Sequence, residues 1–134
     1  MKEKHKIAYM ECAEAFAKCS KSQRLQVGAI VVKDTSIIAE GYNGLARGVS
    51  GALEDAEGNT LPEVRHAEKN ALMKLTRSHE SSVGASLFIT HAPCYYCAVD
   101  IVDAGIVEVY YRHTYRCDSG LSHLEQKSVK VRQI

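Results

Sequence analysis

Apolar and polar residues recur along this chain with two periods, one close to 3.6 residues and the other of two residues. The helical period predicts a first helix over residues 3–19. Its buried face is predicted to comprise Ala8, Cys12, Ala15, Phe16 and Cys19. Two short runs rich in β-branched residues flank a turn at residues 33–35, and they predict a β-hairpin of strands 25–32 and 36–42.

After the hairpin, the pattern predicts a long loop and then alternating helices and strands. Residues 43–64 are rich in glycine and acidic residues and lack a clear period, and a loop of this length is usually functional. The later elements are predicted as helix 66–77, strand 85–90, helix 93–104, strand 106–111, helix 119–126 and strand 128–133. Strands separated by crossover helices run parallel. We therefore expect an α/β fold with a mixed five-stranded sheet and helices on both faces.

Length and composition narrow the class of protein. The 134 residues predict one domain over residues 1–134. The net charge of +1, with no basic block, argues against a nucleic-acid polymer as the main partner. No apolar run is long enough to cross a membrane, and the first residues lack the apolar core of a signal peptide. Five cysteines in that context predict a reducing, cytoplasmic location.

Two short motifs carry the candidate chemistry. His66 and Glu68 form a His-x-Glu motif, and residues 93–97 read Pro-Cys-Tyr-Tyr-Cys. Cys94 and Cys97 are three residues apart, so they share one face of a helix. His66, Cys94 and Cys97 would supply three zinc ligands and leave a fourth tetrahedral position for water. This is the signature of the zinc nucleobase deaminases, in which the glutamate moves protons and is not a ligand.

Other interpretations of the cysteine pair remain open at this point. A Cys-x-x-Cys pair could be a redox pair, although Pro93 before it and two tyrosines inside it do not suggest a thioredoxin-like context. It could also be half of a structural zinc site, for which His91 is the nearest additional ligand. Pro93 is predicted to lie in the first turn of the helix that carries the pair. Glu68 could be a solvent-facing residue of a first helical turn instead of the general base.

Together with the segment Gly41-Tyr42-Asn43-Gly44, these motifs make the chain resemble the deoxycytidylate (dCMP) deaminases of the cytidine deaminase superfamily. The resemblance extends over nearly the whole chain, including residues 27–29, the His-Ala-Glu-Lys-Asn-Ala run at 66–71, and Tyr115. Ala46 stands where the family has a proline. The resemblance implies a cytidine-deaminase-like three-layer sandwich that hydrolyses dCMP to dUMP and ammonia. It also implies a homo-oligomer, often a hexamer, that dCTP activates and dTTP inhibits.

The resemblance suggests which residues contact the substrate. Tyr115 would stack on the base, with a core tyrosine at a strand end as the alternative. Asn43 would hold the sugar, although asparagine between glycines is also good turn chemistry. The backbone N–H of Ala67 would meet the base carbonyl. Arg24 is the first candidate for the 5′-phosphate and Arg116 the second, while surface arginines often bind nothing in particular.

A second, allosteric nucleotide site is expected by the same resemblance. It would comprise Gly41, Tyr42, Asn43, Gly44 and Gly48. The glycines of this segment would let backbone N–H groups approach phosphates. An ordinary glycine-rich loop is the alternative. Mg²⁺ would accompany the triphosphate. Glu54 and Asp55 could help to hold it, although acidic residues in a loop are more often simply hydrated. The competing functions are deamination of another free cytosine nucleoside or nucleotide, nucleic-acid editing, and non-catalytic nucleotide binding by a zinc-stabilised protein.

Overall fold

The computed structural model describes residues 1–46 and 48–134, and its elements occur in the predicted order. Arg47, which falls in the predicted loop 43–64 and in the candidate segment 41–48, lies outside the described residues. The elements are α1 Glu3–Ala17, β1 Gly28–Lys33, β2 Ser36–Tyr42, α2 Ala67–Leu75, β3 Ser86–His91, α3 Tyr95–Asp103, β4 Glu108–His113, α4 Ser119–Gln126 and β5 Lys130–Gln133.

The five strands form one mixed sheet in the order β2-β1-β3-β4-β5. β1 pairs antiparallel with both β2 and β3, and β3, β4 and β5 run parallel to one another. The hairpin and the parallel crossover strands are thus confirmed. Because β3 and β4 are parallel, their carboxyl ends lie at one edge of the sheet, and α3 begins shortly after β3 at that edge.

Helices cover both faces of the sheet, as predicted. On one face, Met10 and Ala13 of α1 pack with alternate sheet residues such as Ile30 and Phe88. On the other face, α2, α3 and α4 bury their apolar residues against the intervening set of sheet positions. This division follows from the two-residue period of a strand, which sends successive side chains to opposite faces.

The predicted buried face of α1 is wrong. Met10, Ala13 and Ala17 are the buried residues of α1, whereas Ala8 and Ala15 are exposed. Cys12 and Phe16 are half-buried, and Cys19 lies beyond the helix end and is exposed. Small apolar residues occur around the whole circumference of this helix, so the period alone could not select the stripe that meets the sheet.

Several element boundaries differ from the predictions by one to three residues, and two of these differences have a local cause. β1 begins at Gly28, three residues later than expected, because backbone groups of Leu25 and Val27 bond the side chain of Asn43. Pro93 does not lie in the first turn of α3, since Cys94 is the N-cap and Pro93 precedes it, fully buried. A thiolate at the N-cap can accept a hydrogen bond from the first turn, so Cys94 begins the helix in the way that Asp or Ser commonly does.

Candidate metal centre

Two helix N-termini meet at one point, and each supplies ligands. His66 is the N-cap of α2, Cys94 is the N-cap of α3, and Cys97 lies in the first turn of α3. Their ligand atoms all lie within 4.8 Å of one another. His66 Nδ1 is 3.2 Å from Cys97 Sγ and 3.6 Å from Cys94 Sγ. The sequence prediction that His66, Cys94 and Cys97 converge is therefore confirmed.

The donor set fits zinc. Zinc binds imidazole nitrogen at about 2.0 Å and thiolate sulfur at about 2.3 Å, so a tetrahedral ion holds N and S about 3.5 Å apart. The two N–S separations lie on either side of that value. Within the described residues, no fourth Cys, His, Asp or Glu joins the group. This arrangement is that of a catalytic site, which keeps one position for water.

His91 does not serve as a fourth ligand. Its Nδ1 is 2.9 Å from Thr90 Oγ1, and its ring packs against His113 with ring centroids 5.0 Å apart. Burial lowers the pKa of His91, and the neighbouring His113 lowers it further. A closed structural zinc site would need His91 as its fourth ligand, so these contacts argue against that interpretation.

Hydrogen bonds among the three ligands shift their pKa values in the metal-free site. The Cys97 thiol, His66 and the Cys97 backbone N–H donate to Cys94 and lower its pKa to about 4. The Cys94 thiolate, together with burial, raises the pKa of Cys97, and hydrogen bonding to Cys94 raises the pKa of His66. A metal that displaces these protons joins ligands already held together, so its affinity will depend on pH.

Glu68 is one of the few buried charged or polar residues in the described part of the chain. It lies in the first turn of α2 and is 4% exposed. Burial raises the pKa of Glu68 to about 7, and the nearby His66 moderates the shift. A carboxyl group that titrates near neutral pH can both accept and donate a proton. The alternative of a solvent-facing Glu68 is wrong.

Asn43 precedes Gly44, whose backbone pairs with the residue before His66, and the Asn43 side chain already makes two hydrogen bonds. Its Oδ1 accepts from Val27 N–H at 2.9 Å, and its Nδ2 donates to Leu25 C=O at 2.7 Å. The next residue, Gly44, exchanges two backbone hydrogen bonds with Arg65, which directly precedes His66. The Asn43 side chain therefore joins the end of β2 to the segment before β1, which is a structural role that neither sequence interpretation anticipated, and a role in holding the sugar stays a prediction.

Asn70 and Arg65 help to position the site, and sequence reasoning gave them no role. Asn70 donates from Nδ2 to Tyr42 C=O at 2.9 Å and to Gly44 C=O at 3.4 Å, so it attaches α2 to the end of β2. The available signal was an asparagine inside a helix, where asparagine is a weak helix former and commonly has a specific partner. Arg65 acts through its backbone, for which the sequence carried no signal.

The other candidate substrate residues lie around the same edge. Ala67 begins α2, and the side chain of the N-cap residue His66 makes no capping hydrogen bond, so the Ala67 N–H can meet an acceptor. Tyr115 is half-buried in the segment between β4 and α4, and the Arg116 guanidinium lies 5.6 Å from its ring centroid. Arg24 is exposed and adjoins Leu25, whose carbonyl bonds Asn43. Their substrate contacts stay predictions.

The glycine-rich segment is only partly suited to phosphate. Gly41 is buried against α2: a Cβ there would lie 2.5 Å from Ala67 O and Ala71 N. This close packing between β2 and α2 accounts for Gly41 without a nucleotide. The Gly44 N–H is committed to Arg65 C=O. Gly48, by contrast, is exposed with a φ of +80°, which favours glycine.

Glu54 and Asp55 have local structural roles. The Glu54 carboxylate accepts from Ser22 Oγ at 3.0 Å and from Gln23 N–H at 3.3 Å. Asp55 Oδ1 accepts from the N–H groups of Glu57 and Asn59, which closes a turn. Neither carboxylate is simply hydrated, and their bonds provide no support for a magnesium site.

Two further features bear on expectations from the sequence. None of the helices in the described residues has both the length and the apolar character needed to cross a membrane. Throughout the same part of the chain, the five cysteines form no disulfide bond.

A mixed α/β sheet, three nitrogen and sulfur ligands, and a buried carboxylate beside them define a hydrolytic zinc centre of the nucleobase-deaminase type. The family described as "Cytidine and deoxycytidylate deaminase zinc-binding region" matches residues 3–113. The chain belongs to this family of deaminases, and the predicted family and fold are confirmed.

Two curated relatives and one solved structure illustrate the similarity. ComE operon protein 2 of Bacillus subtilis (strain 168) is 36% identical over 134 residues, which cover 94% of this chain and 69% of the relative. Deoxycytidylate deaminase of Mycobacterium phage D29 is 36% identical over 117 residues, covering 77% of this chain and 90% of the relative. The crystal structure of dCMP deaminase from the cyanophage S-TIM5, in complex with dCMP and dUMP, matches with a TM-score of 0.96 and 46% identity. It covers 100% of this chain and 99% of that chain.

Proposed function

We propose that this protein catalyses the hydrolytic deamination of dCMP to dUMP and ammonia. The observation that carries the proposal is the convergence of His66 Nδ1, Cys94 Sγ and Cys97 Sγ beside a buried carboxylate. The chain has this site within a fold that matches, over its whole length, a cyanophage protein solved with dCMP and dUMP. Similarity to the phage D29 deoxycytidylate deaminase, over most of that protein, supports the same substrate.

Zinc is the cofactor of the proposal, held by His66, Cys94 and Cys97. When bound, it would supply a water molecule of lowered pKa and a positive charge next to the reacting carbon. Two thiolates and one neutral imidazole offset the charge of the ion, so the water needs a base close by. Glu68 would be that base, because it is buried and lies close enough to His66 for the charge of His66 to affect its pKa.

Glu68 moves the protons of the reaction. It accepts one proton from the attacking water and delivers it to N3 of the cytosine ring. It then takes the second proton of that water, which is now on the C4 hydroxyl, and delivers it to the leaving amino group, which departs as ammonia as the C4–N bond breaks. Its pKa of about 7 means that both protonation states are accessible near neutral pH. Exclusion of solvent from the carboxyl group keeps these protons from exchanging with bulk water.

The deoxyribonucleotide is recognised by residues from three segments in this proposal. The Ala67 N–H meets the base carbonyl, and Tyr115 stacks on the base. Asn43, which retains one N–H and one lone pair after its two backbone bonds, meets the sugar. Arg24 or Arg116 binds the 5′-phosphate through charge-assisted hydrogen bonds.

The proposal extends to regulation and assembly. dCTP would activate and dTTP would inhibit through the segment 41–48, with Mg²⁺ bound to the triphosphate, in a homo-oligomer such as a hexamer in the cytoplasm. Support comes from the resemblance of this segment to the allosteric segment of dCMP deaminases. Since Gly41 packs on α2 and the Gly44 N–H is occupied, phosphates would have to meet residues 45–48 or side chains.

A substrate panel tests the proposal. The zinc-loaded protein is assayed for uracil product and ammonia with cytidine, deoxycytidine, CMP, dCMP and dCTP, each with and without dCTP or dTTP and Mg²⁺. The proposal expects dCMP to have the highest kcat/KM. An equal rate with deoxycytidine would favour a nucleoside deaminase, and no turnover of any substrate would favour the non-catalytic alternative.

A further inference from the structure

We infer that Gly120, at the start of α4, is a positioning residue for the zinc ligand Cys94. Gly120 is buried in the first turn of α4, and this turn rests directly on the backbone of residues 93 and 94. A Cβ at this position would lie 2.1 Å from Pro93 O, 2.8 Å from Cys94 O and 2.9 Å from the Cys94 carbonyl carbon. The inference rests on the proposed zinc centre and concerns a contact that does not involve substrate.

The backbone atoms that Gly120 touches are those that hold the ligand. Cys94 C=O accepts from Ala98 N–H at 2.9 Å, which is an early hydrogen bond of α3. Cys94 Sγ in turn accepts from Cys97 N–H at 3.4 Å. Pro93 is fully buried, so the turn cannot rotate into solvent. Displacement of the Cys94 carbonyl therefore shifts the N-terminus of α3, where the N-cap and the first turn carry two of the three ligands.

α4 cannot easily withdraw from this contact. Leu124, one turn further along, is 0% exposed in the core that α2 and α3 share. Its carbonyl accepts from Val129 N–H at 2.9 Å, which links α4 to the segment leading into β5. His123 packs edge-on against Tyr95 with ring centroids 5.2 Å apart. Lifting α4 would open this packing, so part of any strain passes to the Cys94 turn.

The displacement that a Cβ at position 120 would cause is large compared with the error that metal–ligand distances tolerate. Relief of the 2.1 Å contact to Pro93 O requires about 1 Å of movement, because Cβ atoms essentially never approach other heavy atoms within 3.0 Å. Metal–ligand distances tolerate only about 0.2 Å of error. A side chain at position 120 should therefore misplace Cys94 relative to His66, although neither ligand is changed.

The test compares Gly120→Ala with Gly105→Ala. Gly105 has a φ of +80°, and a Cβ there would lie 3.0 Å from Val83 Cα, so alanine is strained at the opposite end of α3 from the ligands. Both proteins are loaded with Co²⁺ for absorption spectra of the thiolate and d–d bands. Zinc affinity is measured by competition with a chromophoric chelator, and folding by circular dichroism.

We expect Gly120→Ala to weaken zinc binding at least tenfold, the low end of the effect of residues that orient metal ligands, and to shift the Co²⁺ bands. Gly105→Ala should lose stability but stay within twofold of the wild-type zinc affinity with an unchanged spectrum. Wild-type spectrum and affinity in folded Gly120→Ala would overturn the inference, as would equal losses in both variants.

If Gly120→Ala does not fold, Leu121→Ala takes its place, because it removes a half-buried contact of the same helical turn without a clash. At least threefold weaker zinc binding then supports the inference, and unchanged binding overturns it. A wild-type protein that binds zinc and Co²⁺ tetrahedrally but does not deaminate dCMP would contradict the proposed function alone. The zinc affinity and Co²⁺ spectrum of Gly120→Ala would still test the inference about Gly120.

Discussion

Replacing Glu68 with glutamine is expected to abolish activity while it stabilises the metal-free protein. The side chain is 4% exposed, and glutamine has nearly the same shape but cannot exchange a proton. Each general acid or base step contributes about 10²–10⁴-fold to a rate. Because Glu68 serves more than one proton transfer, kcat with dCMP should fall at least about 10³-fold, or about 4 kcal/mol.

The stability effect follows from the pKa of Glu68. Burial raises this pKa from 4.5 to about 7, so the folded state holds a proton that the unfolded state releases. The wild type therefore loses stability as pH rises from 4.5 to 7, and the neutral glutamine does not. The metal-free variant should be more stable than the metal-free wild type by up to about 3 kcal/mol at pH 8, and by less than about 1 kcal/mol at pH 5.

The assay combines steady-state kinetics of the zinc-loaded proteins with urea unfolding of the metal-free proteins at pH 5 and pH 8. Glu63→Gln, which changes an exposed carboxylate, is the matched control and should alter neither quantity. A kcat within tenfold of wild type would rule out Glu68 as the proton carrier. A Glu68→Gln variant that is less stable at pH 8 would refute the argument from burial.

Three further predictions concern the segments around the site. Gly41→Ala should lower the free energy of unfolding by about 1–3 kcal/mol, because its Cβ would overlap the α2 backbone. Gly44→Ala, with open space around its Cβ, should lower it by less than about 1 kcal/mol, and urea unfolding of both variants checks this difference. Asn43→Ala should cost about 1–3 kcal/mol by the same measurement, since it leaves two backbone groups without partners, and an unchanged stability would contradict those bonds. Arg24→Ala should reduce the preference for dCMP over deoxycytidine by about 10–100-fold in kcat/KM, as expected for loss of a charge-assisted bond to phosphate, and an unchanged preference would exclude Arg24 from that role.

The zinc site was predictable because its information is local. His66 and Glu68 share one motif, and Cys94 and Cys97 share another, so each spacing carries ligand geometry directly. The parallel pairing of the later strands could also be anticipated, because crossover helices connect parallel strands. The two motifs are distant along the chain, and the fold brings them together by placing two helix N-termini at one edge of the sheet.

The features that could not be predicted from the sequence depend on contacts between distant segments. Gly41 looked like part of a phosphate loop, but it is needed where β2 meets α2. Gly120 lay in a predicted helix with no distinguishing signal, and its close contact is with residues 93 and 94. The buried stripe of α1 was misassigned because alanines occur on several sides of that helix. In each case the outcome depends on a segment that is distant along the chain, so the periodicity of one segment cannot predict it.

The most direct test of the central claim is zinc-dependent formation of dUMP from dCMP. The purified protein is stripped of metal with a chelator, assayed for dUMP and ammonia, and assayed again after one equivalent of Zn²⁺ is added. The account predicts no turnover without metal, recovery with one zinc per chain, and no recovery in Cys97→Ser. Undiminished turnover by the metal-free protein, or none from zinc-loaded wild type with dCMP, would contradict it.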